Sequence, residues 1–195
     1  MRIKLRFATE QDAGACAAIY RPYVEKTSVT FEYDPPGREE MARRMAAYGT
    51  QFPWIVAESG GQLVGYAYAC AHHERAAYQW NADLAVYLRK DIRAKGIGRR
   101  LYGCLLELLA MQGYCRAIGV VTCPNPASEA LHKALGFSTV AVWPHAGYKL
   151  GEWHGVQWFT KELAPFTDHP RPPVPVAQLD PQKVRALFEQ YGERD

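Results

Sequence analysis

Arg93-Ala94-Lys95-Gly96-Ile97-Gly98 concentrates two cations and two glycines in six positions, a composition suited to holding an anion. Glycine lets a backbone turn sharply and approach a ligand closely. Arg99 and Arg100 follow, and then an apolar-periodic run, so the turn opens a helix whose first N–H groups and positive dipole end face the same ligand. The expected occupant is a pyrophosphate. Two other phosphate turns are excluded by the residues. A P-loop needs Gly-Lys followed by Ser or Thr, whereas Lys95 precedes Gly96; a dinucleotide turn needs a third glycine where Leu101 stands. An ordinary glycine turn capping a helix is the remaining alternative. His72-His73-Glu74 raises the question of a metal site, but adjacent histidines on a strand point to opposite faces and no further ligand set is evident, so no metal is expected.

The elements around this turn are legible in the hydrophobic pattern. Ala82 to Leu88 alternates as a strand, and Leu101, Leu105 and Leu108 fall at helical spacing up to a stop at Gly113. Earlier, Ile3, Leu5 and Phe7 alternate with Arg2, Lys4 and Arg6 in a half-buried strand. Thr9 with Asp12 three residues later is a helix start. A loop from Glu32 to Gly37 leads to an amphipathic helix from Arg38 to Tyr48. Trp54–Ala57 and Leu63–Ala69 read as strands joined by the hairpin residues Ser59-Gly60-Gly61. Ala117–Val121 is an apolar strand, Ala127–Leu135 a short helix stopped by Gly136, and Val156–Glu162 a final strand. The order β-α-α-β-β-β-α-β-α-β-β is a mixed α/β arrangement, hairpins first and crossovers later.

The chain of 195 residues, 48% hydrophobic, has material for one substantial domain with an extra piece. Residues 1–164 form the expected domain. The prolines at 165, 170, 172, 173 and 175 describe an extended linker, and Asp180-Pro181 opens a terminal helix reaching about Tyr191. A net charge of +3 is too mild to indicate nucleic acid but suits an anionic ligand. Five cysteines without a C-x-x-C pair indicate neither a disulfide framework nor zinc. With no signal peptide and no long apolar run, a cytoplasmic protein without membrane contact is expected.

At the Arg-x-x-Gly-x-Gly turn the chain resembles the GNAT N-acetyltransferases, whose order of strands and helices also matches. Reading outward, the resemblance narrows to phosphinothricin acetyltransferases and their relatives. It is carried by Ile19-Tyr20, Thr30-Phe31-Glu32, Pro53-Trp54, Gly65-Tyr66-Ala67-Tyr68, Ala77-Tyr78 with Trp80, Val86-Tyr87 and Gly96-Ile97-Gly98. Further on, Pro124-Asn125, Ser128, Leu131-His132, Gly136-Phe137, Gly147-Tyr148-Lys149 and Trp153 fit as well. The match spans about residues 2–163.

The resemblance implies a mostly antiparallel central sheet flanked by helices, with acetyl-CoA as co-substrate and direct transfer to a primary amine. The acceptor it implies is the α-amine of an amino acid or analogue such as phosphinothricin, methionine sulfoximine or methionine sulfone. Val86, Tyr87 and Leu88 match the strand that pairs with pantetheine. Arg93, Ala94, Lys95, Gly96, Ile97, Gly98 and Arg99 match the pyrophosphate clamp, and Asn125 and Ser128 further cofactor contacts. Asp83 stands where relatives carry the glutamate that deprotonates the amine. It is shorter by one C–C bond, roughly 1.5 Å, which favours a bridging water; a solvated strand carboxylate is the alternative. His132 matches the proton carrier at the thiol end, the alternative being a histidine that merely packs there. Phe31, Glu32, Arg75, Tyr78 and Lys149 match positions around the acceptor, with Arg75 suited to a carboxylate. Gly155 replaces a frequent aspartate, which implies an acceptor end that is widened or re-tuned by the loss of a carboxylate. Cys123 is not an expected nucleophile. A homodimer is implied. Other amines (polyamine, aminoglycoside, protein amine) and a non-catalytic acyl-CoA-binding module remain as alternatives.

Overall fold

The structure, a computed structural model, describes residues 2–92 and 96–192. Its elements in chain order are β1 (Lys4–Phe7), α1 (Ala13–Lys26), α2 (Arg38–Gly49), β2 (Trp54–Ser59), β3 (Gln62–Ala71), β4 (Asn81–Leu88), α3 (Ile97–Gln112), β5 (Arg116–Cys123), α4 (Pro126–Ala134), β6 (Ser138–Lys149), β7 (Glu152–Glu162) and α5 (Pro181–Tyr191). The strands form one seven-stranded sheet in the order β1-β2-β3-β4-β5-β7-β6. Every neighbouring pair is antiparallel except β4 and β5, which α3 connects as a crossover. The mixed, mostly antiparallel sheet expected from the sequence is what forms.

Local chemistry accounts for the joints. Gly60 and Gly61 both have positive φ, as a two-residue hairpin between β2 and β3 requires. Gly113 ends α3 in the left-handed region, with the Tyr114 N–H reaching back to the Leu109 carbonyl at 3.0 Å. Two cores lie on opposite faces of the sheet. One packs Ala13, Cys16, Tyr20, Tyr23, Met41 and Met45 of α1 and α2 against Trp54, Val56 and Tyr66. The other packs Leu101, Leu105 and Leu108 of α3 against Ile55, Ala67, Ala82 and Leu84.

The proline-rich tail belongs to the second core. Leu179, Val184 and Leu187 are buried within it, and α5 lies against α3 and β1. The strap between is bonded to the domain: the Val174 N–H donates to the Gln112 carbonyl at 2.9 Å, and the Trp80 indole N–H to the Arg171 carbonyl at 2.9 Å. Gly103 makes room for Tyr191, whose ring would lie 2.6 Å from a Cβ there.

Arg6 ties β1 to its surroundings. Its guanidinium grips Asp12 through two bonds of 2.7 and 2.8 Å and reaches Glu58 on β2 at 2.9 Å. The Asp12 carboxylate also accepts the Thr9 N–H at 2.7 Å. The hydrogen bonds from Arg6 hold Asp12 below the usual carboxylate range, against the opposing effect of burial. A depressed folded-state pKa stabilises the fold above the unfolded value and is lost as pH falls through the folded one. Asp12→Asn is therefore expected to lower stability by about 1–2 kcal/mol at pH 7, discounted for the part-exposed Arg6. The gap to wild type should close as pH is lowered from about 4 toward 2. Urea melts at pH 7 and pH 3 check this; a gap that widens in acid contradicts the assignment.

Candidate active site

The site begins where two neighbouring strands part. β4 and β5 share only three registered pairs, Asn81↔Arg116, Ala82↔Ala117 and Asp83↔Ile118. Beyond them β4 continues to pair with β3 as far as Leu88↔Gly65, and β5 with β7 as far as Cys123↔Gly155. Each strand thus keeps one satisfied edge and turns the other toward a widening groove. The groove is lined by Val86 and Tyr87 on one side, Val120 and Asn125 on the other, and Tyr102 and His132. The Leu88 N–H and C=O both meet the Tyr23 hydroxyl, at 3.2 and 2.7 Å, while the Arg89 N–H faces back to Val64 on β3 at 2.9 Å. Residues of Leu88's parity, Leu84 and Val86, therefore present their peptide groups to the groove. An extended ligand with amide groups can pair with that edge.

One end of the groove is the α3 N-terminus. Gly96 adopts φ +75°, and the first helical bond runs from the Arg100 N–H to the Gly96 carbonyl at 3.1 Å, leaving the N–H groups of Ile97, Gly98 and Arg99 without helical acceptors. A Cβ on Gly98 would point at Leu88 Cδ1 (3.5 Å) and Leu131 Cδ2 (3.9 Å), between the end of β4 and α4. Gly98 thus lies at the groove mouth, where a phosphate can approach the backbone. Arg99 is exposed. Arg93, Ala94 and Lys95 lie outside the described residues.

On the α3/α4 side sits His132, 3% exposed. Its Nδ1–H donates to the Ser128 carbonyl at 2.8 Å, which leaves the Nε2 lone pair for the Tyr102 hydroxyl at 3.2 Å. Burial pushes the imidazole pKa down, so the ring is held neutral. It stacks on Phe159 with centroids 4.8 Å apart, and a Cβ on Gly119 would come within 2.3 Å of Nε2. Asn125 caps α4 by accepting the Ser128 N–H at 3.2 Å, with Pro126 in the first turn.

Asp83 stands at the vertex on the opposite face, with Ala85 and Tyr87 in its strand parity. Its Oδ1 accepts the Nδ1–H of His72 at 2.8 Å. Burial raises the carboxyl pKa, an effect the His72 bond partly offsets. β3 ends at Ala71, and His72 and His73 lie in the loop that follows, with ring centroids 4.5 Å apart. Among the described residues no group of three or more His, Cys, Asp or Glu is placed to hold a metal ion. Tyr78 lies 6.1 Å from the His72 ring and 4.8 Å from that of His73. Arg75 has no ion-pair partner among the described residues; it lines a hollow of about 520 Å³ with His72, His73 and Glu74. Trp158 of β7 approaches His72 at 6.2 Å, and its buried indole N–H has no acceptor among the described residues.

Phe31, Glu32 and Lys149 form a separate cluster. The Lys149 ammonium, buried and with its pKa lowered by that burial, donates to the Thr30 carbonyl at 2.7 Å. Glu32 is gripped by Arg44 at 2.8 and 3.0 Å and accepts the Tyr20 hydroxyl at 2.9 Å. Both charges thus anchor the 27–37 loop. The Phe31 ring fills the space a Cβ on Gly147 would need, at 2.4 Å. Gly155 also has a packing reason: a Cβ there would lie 3.1 Å from both Cys123 Sγ and the Trp143 carbonyl oxygen. The space a side chain would need at Gly155 is already occupied by these neighbours. The contacts of His72 with Asp83 and of Tyr102 and Gly119 with His132 had no signal in the sequence pattern, because each depends on strand register or on packing between distant elements.

An open β4–β5 groove with a glycine helix N-terminus at its mouth has a geometry that suits an acyl-CoA. Residues 5–158 match the Acetyltransferase (GNAT) domain, and the chain belongs to that family. It is an acetyl-CoA-dependent N-acetyltransferase. The chain is 34% identical over 177 residues, 91% of its length, to phosphinothricin N-acetyltransferase of Streptomyces viridochromogenes, 96% of which is covered. It is 29% identical to the L-methionine sulfoximine/L-methionine sulfone acetyltransferase of Pseudomonas aeruginosa, over 87% of this chain and all of that one. A phosphinothricin acetyltransferase of the GNAT superfamily from Sinorhizobium meliloti, solved in complex with acetyl-CoA, superposes with a TM-score of 0.85 at 34% identity, covering 92% of this chain and 98% of that one.

Proposed function

We propose that the protein acetylates the α-amine of a free amino acid or analogue of the phosphinothricin, methionine sulfoximine or methionine sulfone kind. The names of the relatives support this acceptor class. The observation that carries it is Arg75: a guanidinium without an ion-pair partner among the described residues shares a hollow with His72, the side chain bonded to Asp83. A carboxylate on Arg75 sets an α-amine a short distance away, at the proton-accepting pair.

In this reading acetyl-CoA lies along β4, with its amides on the Val86-side edge, its pyrophosphate on the N–H groups of Ile97 to Arg99, and Asn125 and Ser128 alongside. The Asp83 side of the groove takes a proton from the substrate ammonium. The free amine attacks the thioester carbon, the C–N bond forms and the C–S bond breaks. The second nitrogen proton leaves as the thiolate gains one on the Tyr102–His132 side, giving CoA thiol. Phe31, Glu32 and Lys149 shape the acceptor end through the anchored 27–37 loop.

A homodimer fits the sheet edge, where Val140, Val142 and Trp143 of β6 are exposed. The five unbonded cysteines support a reducing, cytoplasmic setting. Among the described residues no helix is long and apolar enough to cross a membrane.

CoA-thiol release across a panel of amines tests the acceptor. Phosphinothricin and the two methionine derivatives should exceed spermidine, an aminoglycoside and a peptide N-terminus in kcat/KM. Arg75→Ala should raise KM for the amino acid about 10- to 100-fold with kcat little changed. A preference for spermidine, or an unaltered KM, overturns the reading.

A further inference from the structure

We propose that the atom which takes the proton from the attacking amine is His72 Nε2, with Asp83 as the residue that orients and polarises the imidazole. This deepens the amino-acid acetyltransferase reading and rests on it for the identity of the amine. Three geometric facts carry it. The Asp83 Oδ1 is already engaged by His72 Nδ1 at 2.8 Å. A carboxylate only accepts, so Nδ1 carries the hydrogen and Nε2 is left with its lone pair. Nε2 has no protein hydrogen-bond partner among the described residues, although the side chain is only 16% exposed. Finally, His72, and not Asp83, shares the hollow with Arg75.

The chemistry explains how an aspartate suffices at the vertex. Its carboxylate reaches less far than a glutamate's, and the imidazole restores the distance by inserting a ring between carboxylate and amine. A histidine is also the side chain whose unperturbed proton affinity lies nearest neutrality, which suits a base that must accept a proton and then release it. The half-buried Asp83 carboxylate faces the imidazolium as it forms, as the carboxylate does in a Ser-His-Asp triad.

The step balances. An N–H bond of the ammonium breaks and the proton passes to His72 Nε2. The freed lone pair forms the C–N bond, the C–S bond breaks, and the second nitrogen proton balances the one gained by the thiolate. The imidazolium then returns its proton to water.

Other charged or titratable groups face the pair from each packed element. Cys70 on β3 lies opposite Asp83 in register, and burial raises its thiol pKa to about 12, so it stays neutral. His73, Glu74 and Arg75 flank His72 in the loop, and Tyr78 follows. From β7 comes the Trp158 ring, which is uncharged.

His72→Phe keeps the ring within this aromatic surround and removes both nitrogens. It should lower kcat about 100-fold with KM for acetyl-CoA unchanged, and the loss should shrink at high pH, where the amine loses its proton unaided. Asp83→Asn should lower kcat as well, because an amide donor reverses the tautomer and places the hydrogen on Nε2. With His72→Ala, added imidazole should recover part of the lost turnover, a result that a purely structural role does not give. Unchanged acetyl-CoA binding confirms that the variants are folded. If His72→Phe keeps wild-type kcat while Asp83→Asn loses it, the carboxylate takes the proton directly and the proposal fails. It fails equally if His72→Ala loses turnover that imidazole does not restore. The ratio of variant to wild type is read on whichever amine the wild type turns over best, so an error about the acceptor class appears in the panel and not in this ratio.

Discussion

Gly98→Glu is expected to weaken acetyl-CoA binding by at least about 100-fold, equivalent to ~2.7 kcal/mol, while leaving the unliganded fold intact. The Cβ position at Gly98 faces Leu88 and Leu131 across the groove mouth, at ordinary contact distances of 3.5 and 3.9 Å. A longer side chain from that point runs into the space where a pyrophosphate meets the helix N-terminus. Its carboxylate repels the phosphates and takes up the positive end of the α3 dipole for itself. Gly98→Ala separates bulk from charge. A methyl group there meets no backbone, and alanine favours the helix by about 1 kcal/mol over glycine. It should retain affinity within a few-fold. Titration calorimetry with acetyl-CoA, beside thermal melts of the free proteins, reads both effects. Affinity for the glutamate variant within fivefold of wild type removes the α3 N-terminus from the pyrophosphate role.

The elements that frame the proposed cofactor half of the site were legible in the sequence because their signals are local. A strand, a glycine turn and a helix start lie within about thirty consecutive residues, and each has its own short-range signal: alternation in Ala82–Leu88, φ freedom at Gly96, and leucine spacing in α3. His132 and Asn125 sit on one short helix whose cap and stop are also local. The acceptor half is not local. His72 meets Asp83 only because β3 and β4 pair with Cys70 opposite Asp83, a register that alternation alone does not set. β3 runs to Ala71, two residues beyond the alternation read from the sequence, and His72 and His73 lie in the loop that follows it. The Tyr102 hydroxyl on α3 likewise meets His132 across thirty residues of chain.

Charge at Glu32 and Lys149 shows the same limit. A sequence gives their types and neighbours, whereas their partners are Arg44 and the Thr30 carbonyl, brought in from α2 and from a loop more than a hundred residues away from Lys149. Charges engaged in this way hold the loop in place, whereas Arg75, which has no ion-pair partner among the described residues, is the one assigned to the substrate in the proposed function. The tail follows a similar rule. Its prolines led to the expectation of an extended linker, but the groups the tail meets, Gln112, Trp80 and the notch at Gly103, are distributed over the domain.

Gly119→Ala, a single methyl group on β5, is expected to cost about 2–3 kcal/mol of stability and to lower kcat by about 10- to 100-fold. A Cβ at this position lies 2.3 Å from His132 Nε2 and 2.9 Å from its Cδ2. The imidazole has nowhere to retreat, being stacked on Phe159 at 4.8 Å with Phe137 and Tyr102 edge-on at 5.0 and 5.2 Å. Any displacement also breaks the bond from the Tyr102 hydroxyl, leaving that buried donor with only the long 3.4 Å contact to the Leu84 carbonyl. The His132→Ala background distinguishes steric from catalytic loss. Without the ring the new methyl group occupies vacated space, so Gly119→Ala should become nearly neutral in stability there, a coupling that a double-mutant cycle measures. Turnover should stay low in the double variant, because the methyl group restores volume and no nitrogen. Equal destabilisation by Gly119→Ala in both backgrounds places the clash elsewhere than on His132. Recovered turnover in the double variant removes His132 from the thiol end of the reaction.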